Sequence, residues 1–302
     1  MKYPYSPIVN RGKLKWPNNA KVALIFTANL EYWDLIKDTD KPYYAGGPAI
    51  LPDSLAGNVP DFPNFTWREY GQRVGIWRMF RCFDKLDLPL SCTMNAKTAL
   101  ELPELIDAVK ERNWEMVAHN YEQGELLTDL AHKPEEEEKV IKATLDVYQK
   151  TFGKPAKGWL SSSLRGTLNT CGILAANGLK FYCDIMNDDQ PYMVDTDNGP
   201  IVSIPYSNEI NDFTLFTRRA HTNDEFVDIL KAELTELLDE ATEDQSGRLM
   251  NLGLHPHVIG RAYRMPALRE FLTFAKNQDG VWFATREEIA DWYQKNNEGH
   301  IK

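Results

Sequence analysis

Eight short runs along the chain are almost continuously apolar: 21–30, 89–95, 114–120, 157–161, 181–185, 201–206, 249–255 and 281–284. Such runs predict strands buried on both faces. Between them apolar residues recur at helical spacing. The segment 70–85 carries Val74, Ile76, Trp77 and Phe80 in this way, and further helices are predicted over 103–112, 134–151, 169–177, 222–240, 266–276 and 286–294. The helix at 134 opens with Pro134 followed by four glutamates, 135–138, which suits the positive end of a helix dipole and predicts a solvated helix start. Strand–helix alternation over most of the chain implies parallel pairing. A closed or nearly closed (β/α) barrel fits this count better than two domains. One catalytic domain is therefore expected over 1–302, with its core at about 20–296 and a Pro-, Gly- and Asp-rich irregular loop at 38–67.

In a parallel barrel, chemistry gathers where strands end. The first run ends on Asn29 and Glu31, and the third on His119, Asn120, Glu122 and Glu125. The fourth leads into Ser161–Ser163 and Arg165, the fifth into Asn187, Asp188 and Asp189. The sixth leads into Asn208, Glu209, Asn211 and Asp212, and the seventh ends on His255 and His257. A single Asn or Asp after a strand is ordinary turn chemistry. Three histidines at two strand ends, facing a carboxylate at a third, form a candidate site. Glu and His can share base and acid work on a hydrolytic water. Two His and a carboxylate can equally hold Zn²⁺. If His255 and His257 lie on one strand, their rings share a face, which favours a joint role.

Composition narrows the classes. The 302 residues include 34 Lys and Arg against 44 Asp and Glu, a formal net charge of −10. That balance argues against a nucleic-acid binder and against docking to an anionic membrane. No run approaches the roughly 18 apolar residues of a spanning helix, and the N-terminal residues lack the apolar segment of a secretory signal. A cytoplasmic protein acting on a small molecule is the expectation. Cys82, Cys92, Cys171 and Cys183 form no CxxC pair and are expected to be buried thiols. No GxSxG elbow, GxGxxG fingerprint or P-loop is present, so neither a serine hydrolase nor a nucleotide site is implied.

Five segments carry a family resemblance: VALIFTANLE, EYGQRVGIWRMFRCFDKLDLPLSCTMNA, ELIDAVKERNWEMVAHN, MNDDQPY, and the long run from LHPHVIGRAY to EEIADWY. On these the chain resembles the polysaccharide-deacetylase superfamily, and within it the metal-independent allantoinases and related cyclic-amide hydrolases. The resemblance implies an irregular seven-stranded (β/α) barrel. It also marks departures from the metal-dependent deacetylases. Thr27 and Asn29 stand where those enzymes carry an Asp pair, Gln123 replaces the second metal-binding His, and Leu160 falls near the usual Arg, with Arg165 as a shifted substitute. The Asn29-Leu30-Glu31 stretch matches the allantoinase-like branch. The resemblance implies Glu31 as the base that activates water, His255 as the acid, and His119 as an orienting group. Asn29, Glu122, Arg165, Asp188, Asn211 and His257 are the expected substrate-binding side chains. No cofactor is expected. The alternative is Zn²⁺ or Mn²⁺ held by His119, Glu122, His255 or Glu31. The expected activity is hydrolysis of a cyclic amide, imide or ureide. N-deacetylation of an acylated amine and a non-catalytic ligand-binding barrel are the alternatives. A homo-oligomer such as a tetramer is also implied.

Overall fold

A computed structural model describes residues 2–35, 50 and 60–301. Its chain path alternates as expected. Strand β1, Val22–Leu30, has all nine residues buried. Helix α1, Phe62–Tyr70, runs through a π-helical turn, Gly71–Gly75, into α2, Ile76–Leu86. Then come β2 Ser91–Met94, α3 Ala96–Glu101, α4 Pro103–Glu111, β3 Glu115–Ala118, α5 Pro134–Phe152 and β4 Gly158–Trp159. They are followed by α6 Thr170–Ala176, β5 Phe181–Tyr182, β6 Tyr192–Val194 and β7 Ile201–Ser203. A second π-helical turn, Phe213–Arg218, precedes α7 Asn223–Glu243, β8 Arg248–Leu254, α8 Met265–Lys276, β9 Val281–Phe283 and α9 Arg286–Asn296.

The sheet order is β6-β7-β5-β4-β3-β2-β1-β8, with β9 also on β1. Only the β6–β7 pair is antiparallel. Strand β1 is the axis of the fold. It pairs with β8 from Val22 to Ala28, with β2 from Thr27 to Leu30, and with β9 from Val22 to Leu24. Its apolar side chains therefore have no route to water. Each fully buried Val, Leu, Ile or Phe of this kind contributes about 1.5–3 kcal/mol. The two ends of the curled sheet, β7 and β8, meet through one parallel bridge between Asn211 and Gly253. The seven parallel strands from β7 round to β8 thus make the irregular barrel, with β6 and β9 outside that circuit.

The structure also corrects several expectations. In the segment expected as a loop over 38–67, residues 38–49 and 51–59 lie outside the described residues, and from Phe62 the chain is helical because the Asp61 side chain caps Asn64 N–H at 3.3 Å. Val74, read as apolar face, is exposed on the π-helical turn. Glu137, read as solvated, is fully buried and accepts hydrogen bonds from the hydroxyls of Thr167, at 2.7 Å, and Thr170. Strand β6 and helix α3 are too short to give a periodic signal. All four cysteines are buried and free. Among the described residues no helix is long and apolar enough to cross a membrane.

The π-helical turn after α1 packs directly on the loop beyond β8. A methyl at Gly75 would lie 2.0 Å from the carbonyl oxygen of Pro256. Gly75→Ala is expected to lower unfolding stability by about 1–3 kcal/mol, read by chemical denaturation; unchanged stability would contradict this close approach.

Candidate active site

Three parallel strands deliver three side chains to one cavity. Glu31 follows β1, His119 follows β3 and His255 follows β8, each just beyond the strand's C-terminal end. With Asn29, Asn211 and Tyr206 they line a cavity of about 100 Å³. Glu31 Oε1 lies 3.6 Å from His255 Nε2, too far for a good hydrogen bond and close enough for strong charge coupling. On the other edge of the imidazole, Nδ1 lies 2.6 Å from Asp212 Oδ1. The second oxygen of Asp212 accepts the backbone N–H groups of His255, at 2.7 Å, and Ile259, at 3.2 Å. Asp212 is fully buried. It therefore fixes the ring: Nδ1–H donates to the carboxylate, and Nε2 faces Glu31.

Electrostatics follow from that arrangement. Burial works against a charged His255, but the Asp212 carboxylate, with Glu31 behind it, outweighs burial and raises the imidazole's pKa above its ordinary value. Burial raises the pKa of Glu31, while His255, Trp33 and Arg68 oppose that shift. His119 is the contrast. Its Nδ1–H donates to the Leu160 carbonyl, and burial lowers its pKa to about 4. It is neutral at physiological pH, with the Nε2 lone pair as an acceptor.

The amides beneath the pocket are locked in a chain. Thr93 donates its hydroxyl to Asn29 Oδ1 at 2.8 Å, and Asn29 Nδ2 donates to the Leu254 carbonyl at 3.2 Å. Asn211 Nδ2 donates to the Tyr206 phenol oxygen at 2.9 Å, and Asn29 hydrogen-bonds the same oxygen. Burial raises the pKa of Tyr206 to about 12, so the phenol keeps its proton. With its oxygen already accepting amide donors, that proton remains available to the cavity.

Of the expected site residues, Asn29, Glu31, His119, Asn211 and His255 converge here. Four do not. Arg165 is exposed and outside the lining, because Ser163 and Leu164 adopt φ values of 55° and 57° and turn the chain away. Asp188 is tied to Arg11 in a bidentate pair at 2.6 and 2.7 Å. Glu122 is buried against Lys97 at 2.8 Å. His257 is buried behind Glu31, where Trp67 packs edge-on to its ring and a separate small cavity lies between it and Arg68. Strand β8 ends at Leu254, so the expected strand alternation does not hold, and His255 and His257 face different cavities.

Three residues were missed as site residues. Asp212 and Tyr206 come from the stretch between β7 and the second π-helical turn, and Arg218 closes that turn. Asp212 was legible only as one more polar residue after a strand; nothing local ties it to His255.

The donor set does not suit the metal alternative. Among the described residues no group of three or more His, Cys, Asp or Glu side chains could hold an ion. Of the four side chains named for that alternative, Glu122 is engaged by Lys97, while Glu31, His119 and His255, whose Nδ1 faces Asp212, line the cavity without forming such a group.

No family model matches the chain. A Schizosaccharomyces pombe protein provisionally named a polysaccharide deacetylase is 29% identical over 93% of both chains. A crystal structure of a probable polysaccharide deacetylase from Pseudomonas aeruginosa PAO1 superposes with a TM-score of 0.86 at 25% identity, covering 97% of this chain and 99% of the other. The crystal structure of PuuE allantoinase also gives 0.86, at 27% identity over 98% and 99% of the two chains. The chain has a polysaccharide-deacetylase-like fold. That fold, and the likeness to an allantoinase within it, match the resemblance carried by the five sequence segments.

Within this deacetylase-like barrel the two buried histidines are expected to titrate oppositely. Imidazole ¹⁵N NMR should show His119 neutral with its proton on Nδ1 down to a pH of about 4, and His255 doubly protonated above its ordinary range. A charged His119 at pH 6 would contradict the geometry.

Proposed function

We propose that the chain is an amidohydrolase that opens a small cyclic amide, imide or ureide. The Asp212–His255–Glu31 chain carries this reading: it pairs a proton acceptor with a proton donor 3.6 Å apart on one cavity wall. A carboxylate with a raised pKa is a better base near neutral pH, and an imidazole with a raised pKa keeps its proton. Glu31 takes a proton from water as the oxygen attacks the carbonyl carbon. The carbonyl electrons move onto oxygen, and the Tyr206 hydroxyl is the donor placed to meet that charge. The C–N bond breaks as His255 gives its proton to the departing nitrogen. Transfer of the proton from Glu31 to His255 restores both groups. His119, held neutral, accepts a hydrogen bond from the substrate N–H or the water.

The likeness to PuuE allantoinase supports the ring-opening form, and the cavity volume suits a small substrate better than a polymer. The names of the yeast and Pseudomonas relatives favour a second reading, hydrolysis of an acyclic N-acyl group by the same residues. Hydantoin, dihydrouracil, succinimide and allantoin, assayed beside N-acetylglucosamine, separate the two.

Glu31→Gln is expected to lower kcat by about 10³-fold or more, since the base is lost while the shape is kept. Tyr206→Phe is expected to cost about 10²-fold in kcat, with a smaller change in KM. Steady-state kinetics on the best substrate of the panel check both. Near-normal turnover by Glu31→Gln would overturn the assignment. The profile of kcat/KM against pH should be a bell. Its acid limb lies above the ordinary Glu value of 4.5, and its alkaline limb above the ordinary His value of 6.5.

A further inference from the structure

We infer that the substrate carries a carboxylate or a similar anionic group, and that Arg218 with Asn208 forms its subsite. This rests on the amidohydrolase reading and names the substrate class for it. Arg218 lines the same cavity as Glu31 and His255. It sits at the end of the turn that begins one residue after Asp212, so its position is coupled to the catalytic imidazole. Its guanidinium lies 5.2 Å from the centre of the Phe213 ring, and that ring lies 5.9 Å from the His255 ring. Phe213 is therefore a shelf between the reacting end of the cavity and a positive charge at its mouth.

Among the described residues no acidic side chain neutralises Arg218. The neighbouring Arg219 is paired with Glu209, which removes that exposed carboxylate from competition. On the same lining, Asn208 accepts the Thr214 hydroxyl on its Oδ1 at 3.2 Å, which leaves its Nδ2 donors for the cavity. A planar guanidinium and an amide donor on one cavity lining suit the oxygens of a carboxylate. In a chain of net charge −10, a free cation beside the reaction site selects anionic ligands locally against the field of the whole molecule. Arg218 also works against protonation of His255, and an anion bound to Arg218 cancels that opposition. The anionic substrate thereby favours the protonated acid it needs.

The test compares hydantoin-5-acetate, which is anionic, with hydantoin, which is neutral, on the full-length protein. Wild type is expected to favour the anionic compound in kcat/KM. Arg218→Ala is expected to reduce that preference about tenfold, mostly through KM, and Arg218→Lys to retain part of it. No preference in wild type, or the same preference in Arg218→Ala, overturns the subsite. If wild type hydrolyses neither compound, dihydrouracil, succinimide and allantoin judge the ring-opening reading, and calorimetric binding of hydantoin-5-acetate judges the subsite separately. Binding that is lost in Arg218→Ala supports it; binding that is absent in wild type or equal in both proteins overturns it.

Discussion

The contact on which the site depends is the one between Asp212 and His255. A single buried carboxylate accepts the ring N–H, the backbone N–H of the same histidine and the backbone N–H of Ile259. Three functions follow from that one side chain. It chooses the tautomer, it aims Nε2 at Glu31, and it supplies the negative charge that raises the imidazole's pKa against the cost of burial. It also ties the stretch after β7 to the end of β8, beside the lone Asn211–Gly253 bridge that closes the barrel. Closure of the sheet and the orientation of the His255 ring thus rest on the same segment. The tight seam shows in Gly253 itself, where a methyl would meet the Tyr206 oxygen at 2.0 Å and Asn211 Nδ2 at 2.5 Å.

The barrel was legible because its strands are buried on both faces and so read as unbroken apolar runs. Val22–Leu30 is the clearest case, since it pairs with three neighbours and exposes nothing. Glu31, His119 and His255 were legible because each follows such a run directly. The partner of His255 was not, because Asp212 lies 43 residues away and meets it only when the two ends of the sheet come together. Arg165 misled because left-handed backbone at Ser163 and Leu164 carries no glycine to announce it. Asp188 and Glu122 misled for a different reason. Their strand-end placement was right, but each is consumed by a cation from elsewhere, Arg11 or Lys97, whose position no local pattern reveals.

The departures from a metal-binding pattern take on a physical meaning in the folded chain. Thr27 does not face the cavity as a ligand; its hydroxyl joins Asn251 at 2.8 Å and the buried Arg286 at 2.7 Å. Asn29 becomes part of the amide chain that holds Tyr206. The inner residues Thr27 and Asn29 of the first strand carry neutral hydrogen-bonding groups, and charge is concentrated in the Glu31–His255–Asp212 line. An array of that kind suits proton transfer coupled to a neutral donor for the developing oxyanion.

The most direct measurement of this account is the pH dependence of kcat/KM in Asp212→Asn beside wild type. Replacing the carboxylate by an amide keeps the shape and removes the charge that holds the proton on His255. The account predicts that the alkaline limb moves to lower pH while the acid limb, set by Glu31, shifts far less. Profiles that superimpose would contradict the claim that Asp212 tunes His255 as the acid.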